Sequence, residues 1–224
     1  MITSRKLLIV VPALLIVAAW IALRSAPPPR VNTLPPPWEV TVSPDGSTSE
    51  VLGIRLGTTT LSEARQRFGG DLQLALIEQP DRQLALEGYA ARVESAFVTG
   101  AVVLAAAAPP SLLDAARQRA IQSAAQPSGA RRWSLSPADF DAALAMHVDS
   151  LTFVPSIRLD AAMVETRFGP AERTLLRGKR VHYLYPLQGI DVAVDESGKA
   201  VLQYLRPVDF ARLAVPLDAA EANP

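Results

Sequence analysis

The sequence predicts an α+β protein: two related units, each a short helix followed by a three-stranded antiparallel meander, linked by two helices and carried on an N-terminal transmembrane helix. Three observations lead there. Arg67-Phe68-Gly69 recurs as Arg167-Phe168-Gly169, apolar residues alternate in the segments that follow, and Leu7 to Leu23 is an apolar run without a charge. The expected organisation is an anchor at 1–24, a proline-rich linker at 25–37, a first helix-plus-sheet unit at 38–108, connecting helices at 109–149, a second unit at 150–212 and a flexible tail at 213–224.

The anchor reads LLIVVPALLIVAAWIAL between Arg5-Lys6 and Arg24. At about 1.5 Å per residue such a run nearly crosses a hydrocarbon core of about 30 Å. Pro12 is tolerated in a membrane helix. The alternative is a cleaved secretory signal with its site at Val17-Ala18-Ala19, but the apolar run continues through Trp20 to Leu23. The chain has no cysteine, which excludes a lipoprotein anchor and leaves the exported part to stand on its core without disulfides. Both readings export residues 30 onward, and the basic start places the N-terminus in the cytoplasm. The expected location is therefore the inner membrane, single-pass with a periplasmic domain, or the periplasm after cleavage.

Charge narrows the partners. The net charge is zero, yet the first acid is Glu39, so the basic residues Arg5, Lys6, Arg24 and Arg30 leave 18 basic against 22 acidic beyond it. A mildly acidic exported part argues against nucleic acid.

Residues 25–38, SAPPPRVNTLPPPW, carry two proline triplets that favour extended backbone, as in a semi-rigid spacer. The strand-like WEVTV and a turn at Ser43-Pro44-Asp45-Gly46 follow. Thr60 or Ser62 can cap the first repeated helix and Asp160 the second, with glycine suited to a left-handed exit at both. Beyond the helices, Leu86-Glu87-Gly88-Tyr89 matches Leu187-Gln188-Gly189-Ile190, and Thr99-Gly100-Ala101-Val102 resembles Ser197-Gly198-Lys199-Ala200-Val201. In the second copy Val181, Tyr183 and Tyr185 share one strand face, Ile190, Val192 and Val194 another, and Val201, Gln203 and Leu205 a third, with a hairpin turn at 195–199. Between the units, Ser111 to Ala124 is partly amphipathic through Leu112, Ala115, Ala116, Arg119 and Ile121. Ser136 to His147 is the second connecting helix, with Phe140, Leu144 and Met146 or His147 on its apolar side, and Gln126 to Arg132 is the loop between them.

Gly57-Thr58-Thr59-Thr60-Leu61-Ser62-Glu63-Ala64, ending in Phe68-Gly69, resembles the G-x-T/S-x-x-E/D-V…L/F-G signature of the SmpA/OmlA, BamE-like envelope proteins. That group shares a helical pair on an antiparallel sheet with the beta-lactamase-inhibitor-protein repeats. The second copy, Leu159 to Pro170, keeps the F-G-P exit but has Val154-Pro155 where the G-x-T opening would stand. The resemblance covers about a fifth of the chain. It implies a non-enzymatic role in binding other envelope proteins, although this chain differs from the family's small lipoproteins in its anchor and its two units.

Candidate chemistry is sparse. Without cysteine, and with only His147 and His182, the usual nucleophile and base are scarce, and both histidines read as ordinary boundary residues. No histidines stand at metal-ligand spacing, and no cofactor is implied. Asp191, Asp195 and Glu196 read as a solvated strand face and turn, and there is neither a G-x-S-x-G elbow nor a glycine-rich phosphate loop. The candidate interaction residues are Arg131, Arg132 and Trp133, a charge pair beside a large aromatic, although Trp133 can equally tuck into the core. Arg177-Gly178-Lys179-Arg180 reads as a basic hairpin turn. The expectation is a non-enzymatic binding or scaffolding protein whose partners are other envelope or membrane proteins, with no nucleic acid and no small-molecule ligand implied. The alternative is an accessory or regulatory subunit of a membrane-bound enzyme complex.

Overall fold

The computed structural model describes residues 34–219. The expected anchor, Leu7 to Leu23, lies outside the described residues. Among those described, no helix is long and apolar enough to cross a membrane.

The chain enters through Leu34, which is buried in the core. The second proline triplet, which falls in the predicted linker, is tied to the domain. Ala96 N–H donates to the Leu34 carbonyl (3.1 Å), and the Ser95 hydroxyl donates to that of Pro35 (2.6 Å). The buried Tyr204 hydroxyl donates to the Pro37 carbonyl (2.7 Å). Trp38 follows with its ring 4.5 Å from the Arg167 guanidinium carbon.

A small sheet comes next, β1 (Thr41–Val42), β2 (Ser49–Val51) and β3 (Ile54–Arg55), in that order. The segment resembling the envelope signature then performs a mechanical task. Gly57, at φ +78°, turns the backbone where a side chain would press on Arg206, and its N–H donates to the Val148 carbonyl (2.7 Å). The Thr59 hydroxyl accepts from Arg55 N–H. Thr60 and Glu63 form a reciprocal capping box that opens α1 (Leu61–Phe68). At the exits of both repeated helices the structure departs from the expected left-handed helical cap. Gly69 and Gly169 have positive φ (94° and 81°) but extended ψ (168° and −174°), a region open essentially to glycine alone, and in each copy a short connection, 70–72 or 170–172, then leads to the next strand.

The remaining strands are β4 (Gln73–Glu78), β5 (Leu84–Ser95), β6 (Val98–Ala107), β7 (Gln122–Ala125), β8 (Arg131–Ser134), β9 (His147–Pro155), β10 (Arg173–Arg177), β11 (Arg180–Tyr185), β12 (Ile190–Asp195) and β13 (Ala200–Leu205). The helices among them are α2 (Pro110–Gln118), α3 (Pro137–Leu144), α4 (Ala161–Phe168) and α5 (Ala211–Ala219).

These strands correct the predicted fold class. Instead of two three-stranded meanders joined by helices, the protein is mostly β, with one ten-stranded antiparallel sheet in the order β10-β11-β12-β13-β9-β6-β5-β4-β8-β7 beside the three-stranded one. The strands after α4 number four, because β10 precedes β11. The expected connecting-helix region 109–149 supplies three strands wholly or in part. The helix expected to reach Ala124 stops at Gln118, and Gln122–Ala125 pairs with Arg131–Ser134 as a hairpin. Helix propensity there yields to the chance of pairing β8 with the open edge of β4. β9 is decisive, since it pairs with β13 on one side and β6 on the other and fuses the sheet.

The C-terminus also departs from expectation: residues 213–219, placed in the flexible tail, belong to α5, which is ion-paired to the sheet at both ends.

Candidate interaction surface

Strand pleating sends alternate side chains to opposite faces of a sheet. On one face Leu76, Leu86, Leu104, Leu151, Phe153, Leu202 and Tyr204 form the main core together with Leu61 and Ala64 of α1, Leu113 and Ala116 of α2, Ala143 of α3 and Val164 of α4. Four helices therefore cover this face.

The second face can be followed along a single row of cross-strand neighbours: Gln73, Tyr89, Val103, Thr152, Gln203, Asp191, Leu184 and Arg173. Exposure falls along it from Tyr89 to Leu184 and returns only at Arg173 on the edge strand. Tyr89 is 45% exposed, whereas Asp191 is 1% and Leu184 0% exposed. The cover over the far end is α5. Arg212 at its start donates to Asp149 of β9 (2.6 Å), Asp218 near its end accepts from Arg173 of β10 (2.6 Å), and the Leu217 carbonyl accepts from Arg177 (2.6 Å). The helix thus crosses β13, β12 and β11, and Leu184, Ala193, Leu205 and Phe210 are buried there apart from the main core.

A polar pair sits in this covered half. His182 and Asp191 are diagonal neighbours on β11 and β12, with Nδ1 2.8 Å from Oδ2. Burial raises the Asp191 carboxyl above its ordinary value, and the hydrogen bond from His182 opposes that rise. The sequence placed Asp191 on a solvated face and His182 among ordinary boundary residues. The structure places both beneath a helix, because α5 supplies a second layer that strand alternation alone does not reveal. Asp195, by contrast, serves its turn, accepting from the N–H groups of Ser197 and Lys199 and from the Ser197 hydroxyl.

The other half of the face has no such cover among the described residues. Tyr89 and Val154 (39% exposed) stand among Ala101, Val103, Ala105, Thr152 and Ile77. In their midst Glu87, between Ala75 and Ala105, is half-buried, and burial pushes its carboxyl up. Among the described residues it has no ion-pair partner. A broad, pleated, mostly apolar surface with one large amphipathic aromatic and one half-buried carboxylate is suited to holding another protein surface.

The predicted interaction residues Arg131, Arg132 and Trp133 lie on β8, not in a loop, and pleating divides them. Arg132 shares the open face with Ile77 and donates to Gln73 (3.2 Å). Trp133 pairs with Leu76 on the opposite face, packs against the core and donates its indole N–H to Glu78 (3.0 Å). Arg131 lies over the Trp133 ring, 5.8 Å from its centre. Tyr89, Val103 and Val154, the residues that dominate the open face, were not singled out in the sequence. Their signal was the large side chains at the alternate parity of long strands, which a search for catalytic motifs passes over.

Among the described residues no three His, Asp or Glu side chains gather as a metal site. No family model matches the chain, and no curated protein or solved structure matches it at a significant level.

Proposed function

We propose that the protein is a non-enzymatic binding module of the bacterial envelope, held at the inner membrane by Leu7 to Leu23 and presenting the uncovered half of its large sheet to another envelope protein. The observation that carries this reading is the exposure of Tyr89 and Val154 on a face whose other half is sealed by α5. Contiguous exposed apolar surface of this kind marks interaction sites in monomeric proteins. The export signals in the N-terminal segment and the BamE-like residues from Gly57 to Gly69 supply the setting.

A photo-crosslinking amino acid at position 89 or 154, in cells making the full chain, tests it. The expected result is a discrete adduct at both positions, with a protein of the membrane or periplasmic fraction, and none at Ala142, which is exposed on α3. Adducts of equal yield at 142, or none at 89 and 154, would overturn the reading. Fractionation of the same cells should leave the intact chain with the inner membrane.

A further inference from the structure

We propose that a concave site at the β7 end of the sheet binds a phosphate dianion. Three elements build it: the β4–β5 turn, the last turn of α2 and the β7–β8 hairpin. Together they bring Arg82, Arg117 and Arg131 around Glu78, Pro80 and Trp133 in a cavity of about 340 Å³.

The charge count points to the ligand. Glu78 is the one acid lining the cavity, and it is already engaged, accepting from the Trp133 indole (3.0 Å) and lying 4.0 Å from Arg82. Three guanidinium charges against one carboxylate leave two positive charges, the complement of a phosphate monoester or inorganic phosphate near neutral pH. Among the described residues Arg117 makes no ion pair. Guanidinium groups bind such oxyanions through paired N–H donors, and Arg does so at less reorganisation than Lys.

The frame around these side chains is fixed. Arg131 is held over the indole ring (5.8 Å) and donates to the Ser123 hydroxyl (3.2 Å). Arg82 adopts a left-handed φ of +71°, a backbone state that disfavours a side-chain-bearing residue. The turn imposes it: Arg82 N–H donates to the Gln79 carbonyl, Gln79 N–H to that of Gln83, and the Asp81 carboxylate accepts from Gln83 N–H. Pro80 lies against Gly129 of the facing hairpin, so the two loops brace each other. The chain thus keeps a cation in a strained position next to two others. A bound dianion relieves the repulsion among them.

The phosphate can be free or the monoester headgroup of a lipid, and the test separates the two. The full chain is placed in nanodiscs of phosphatidylcholine, and the Trp133 indole N–H resonance is followed while inorganic phosphate is added. A parallel sample carries phosphatidic acid in the nanodisc instead. A saturable shift with inorganic phosphate, or with phosphatidic acid alone, supports the site and identifies the source. Arg82→Gln and Arg117→Gln should each weaken the response about tenfold, the loss of one charge-assisted contact, while Arg92→Gln, in an exposed pair with Glu94, should leave it unchanged. No saturable shift in either sample, or one insensitive to Arg117→Gln, overturns the proposal.

Discussion

Tyr89 and Asp191 stand in the same row of the same sheet face, four strands apart, yet one is nearly half exposed and the other is sealed from water. Nothing in the strands themselves distinguishes the two halves of that face. Both are antiparallel, and both alternate small, apolar and polar residues. The difference is the single helix α5, pinned at Asp149 and Arg173, which turns the β11–β13 half into a second, minor core and leaves the β4–β6 half as surface. Burial on a sheet is decided by what lies across it, and a residue's parity only says which side it presents.

That comparison can be broken most forcefully at Leu184. Replacing it with alanine should cost about 3 kcal/mol, read as a shift of the urea midpoint, because the space beneath α5 cannot collapse fully. A cost under roughly 1 kcal/mol would mean that α5 does not seal this half.

Asp191→Ala should follow at about 2 kcal/mol, since it leaves the half-buried His182 nitrogen without its partner, and Asp191→Asn, which keeps an acceptor there, should cost less. The pH dependence has a definite sign. The carboxyl of Asp191 holds its proton more tightly in the folded protein than its ordinary 3.8, so its contribution favours folding at low pH and is lost as pH rises through the raised value. Asp139 works the opposite way. Hydrogen bonds from Arg119 and Ser136 lower its carboxyl, so its stabilisation is present above 3.8 and is lost as pH falls through the lowered value. Denaturation across the acidic range should lose the first slope in Asp191→Asn and the second in Asp139→Asn.

Arg212→Ala removes an exposed ion pair at the start of α5 and should cost only about 0.5 kcal/mol globally. Its sharper effect should be faster amide exchange in β11 and β12 with β4 and β5 unchanged. Smallest in stability is Tyr89→Ala, expected within about 0.5 kcal/mol, while it reduces partner crosslinking from position 154. A large loss of stability there would show that the tyrosine is part of a core rather than of a surface.

The sequence was legible where local rules act alone. Thr60 with Glu63, and Asp160, mark helix starts by chemistry that needs no tertiary partner, and the alternation of Ile190, Val192 and Val194 is equally local. It was misleading where the period breaks. In β9 the buried Val148 and Leu151 are three residues apart because a bulge intervenes opposite Ala105 and Ala106, so the strand that fuses the sheet does not read as one. A similar slip separates Ala90 from Val93 in β5. In Gln122–Ala125 small residues carry no pattern at all, and pairing with β8 assigns them. For the candidate surface, Trp133 and Arg132 were visible as residue types. That they point to opposite faces required knowing they lie on a strand.

The docked proline segment sets how load would travel through the molecule. Leu34 bridges Ser95 in parallel, and the carbonyls of Leu34, Pro35 and Pro37 are gripped by Ala96, Ser95 and Tyr204 in succession. Tension arriving from upstream of Leu34 therefore meets several bonds on a short stretch of chain before it reaches β1. One grip lies at the tip of the β5–β6 hairpin and the other on β13, across the seam formed by β9. A pull arriving there is spread over both sides of that seam, which makes the strap a strain relief for the sheet.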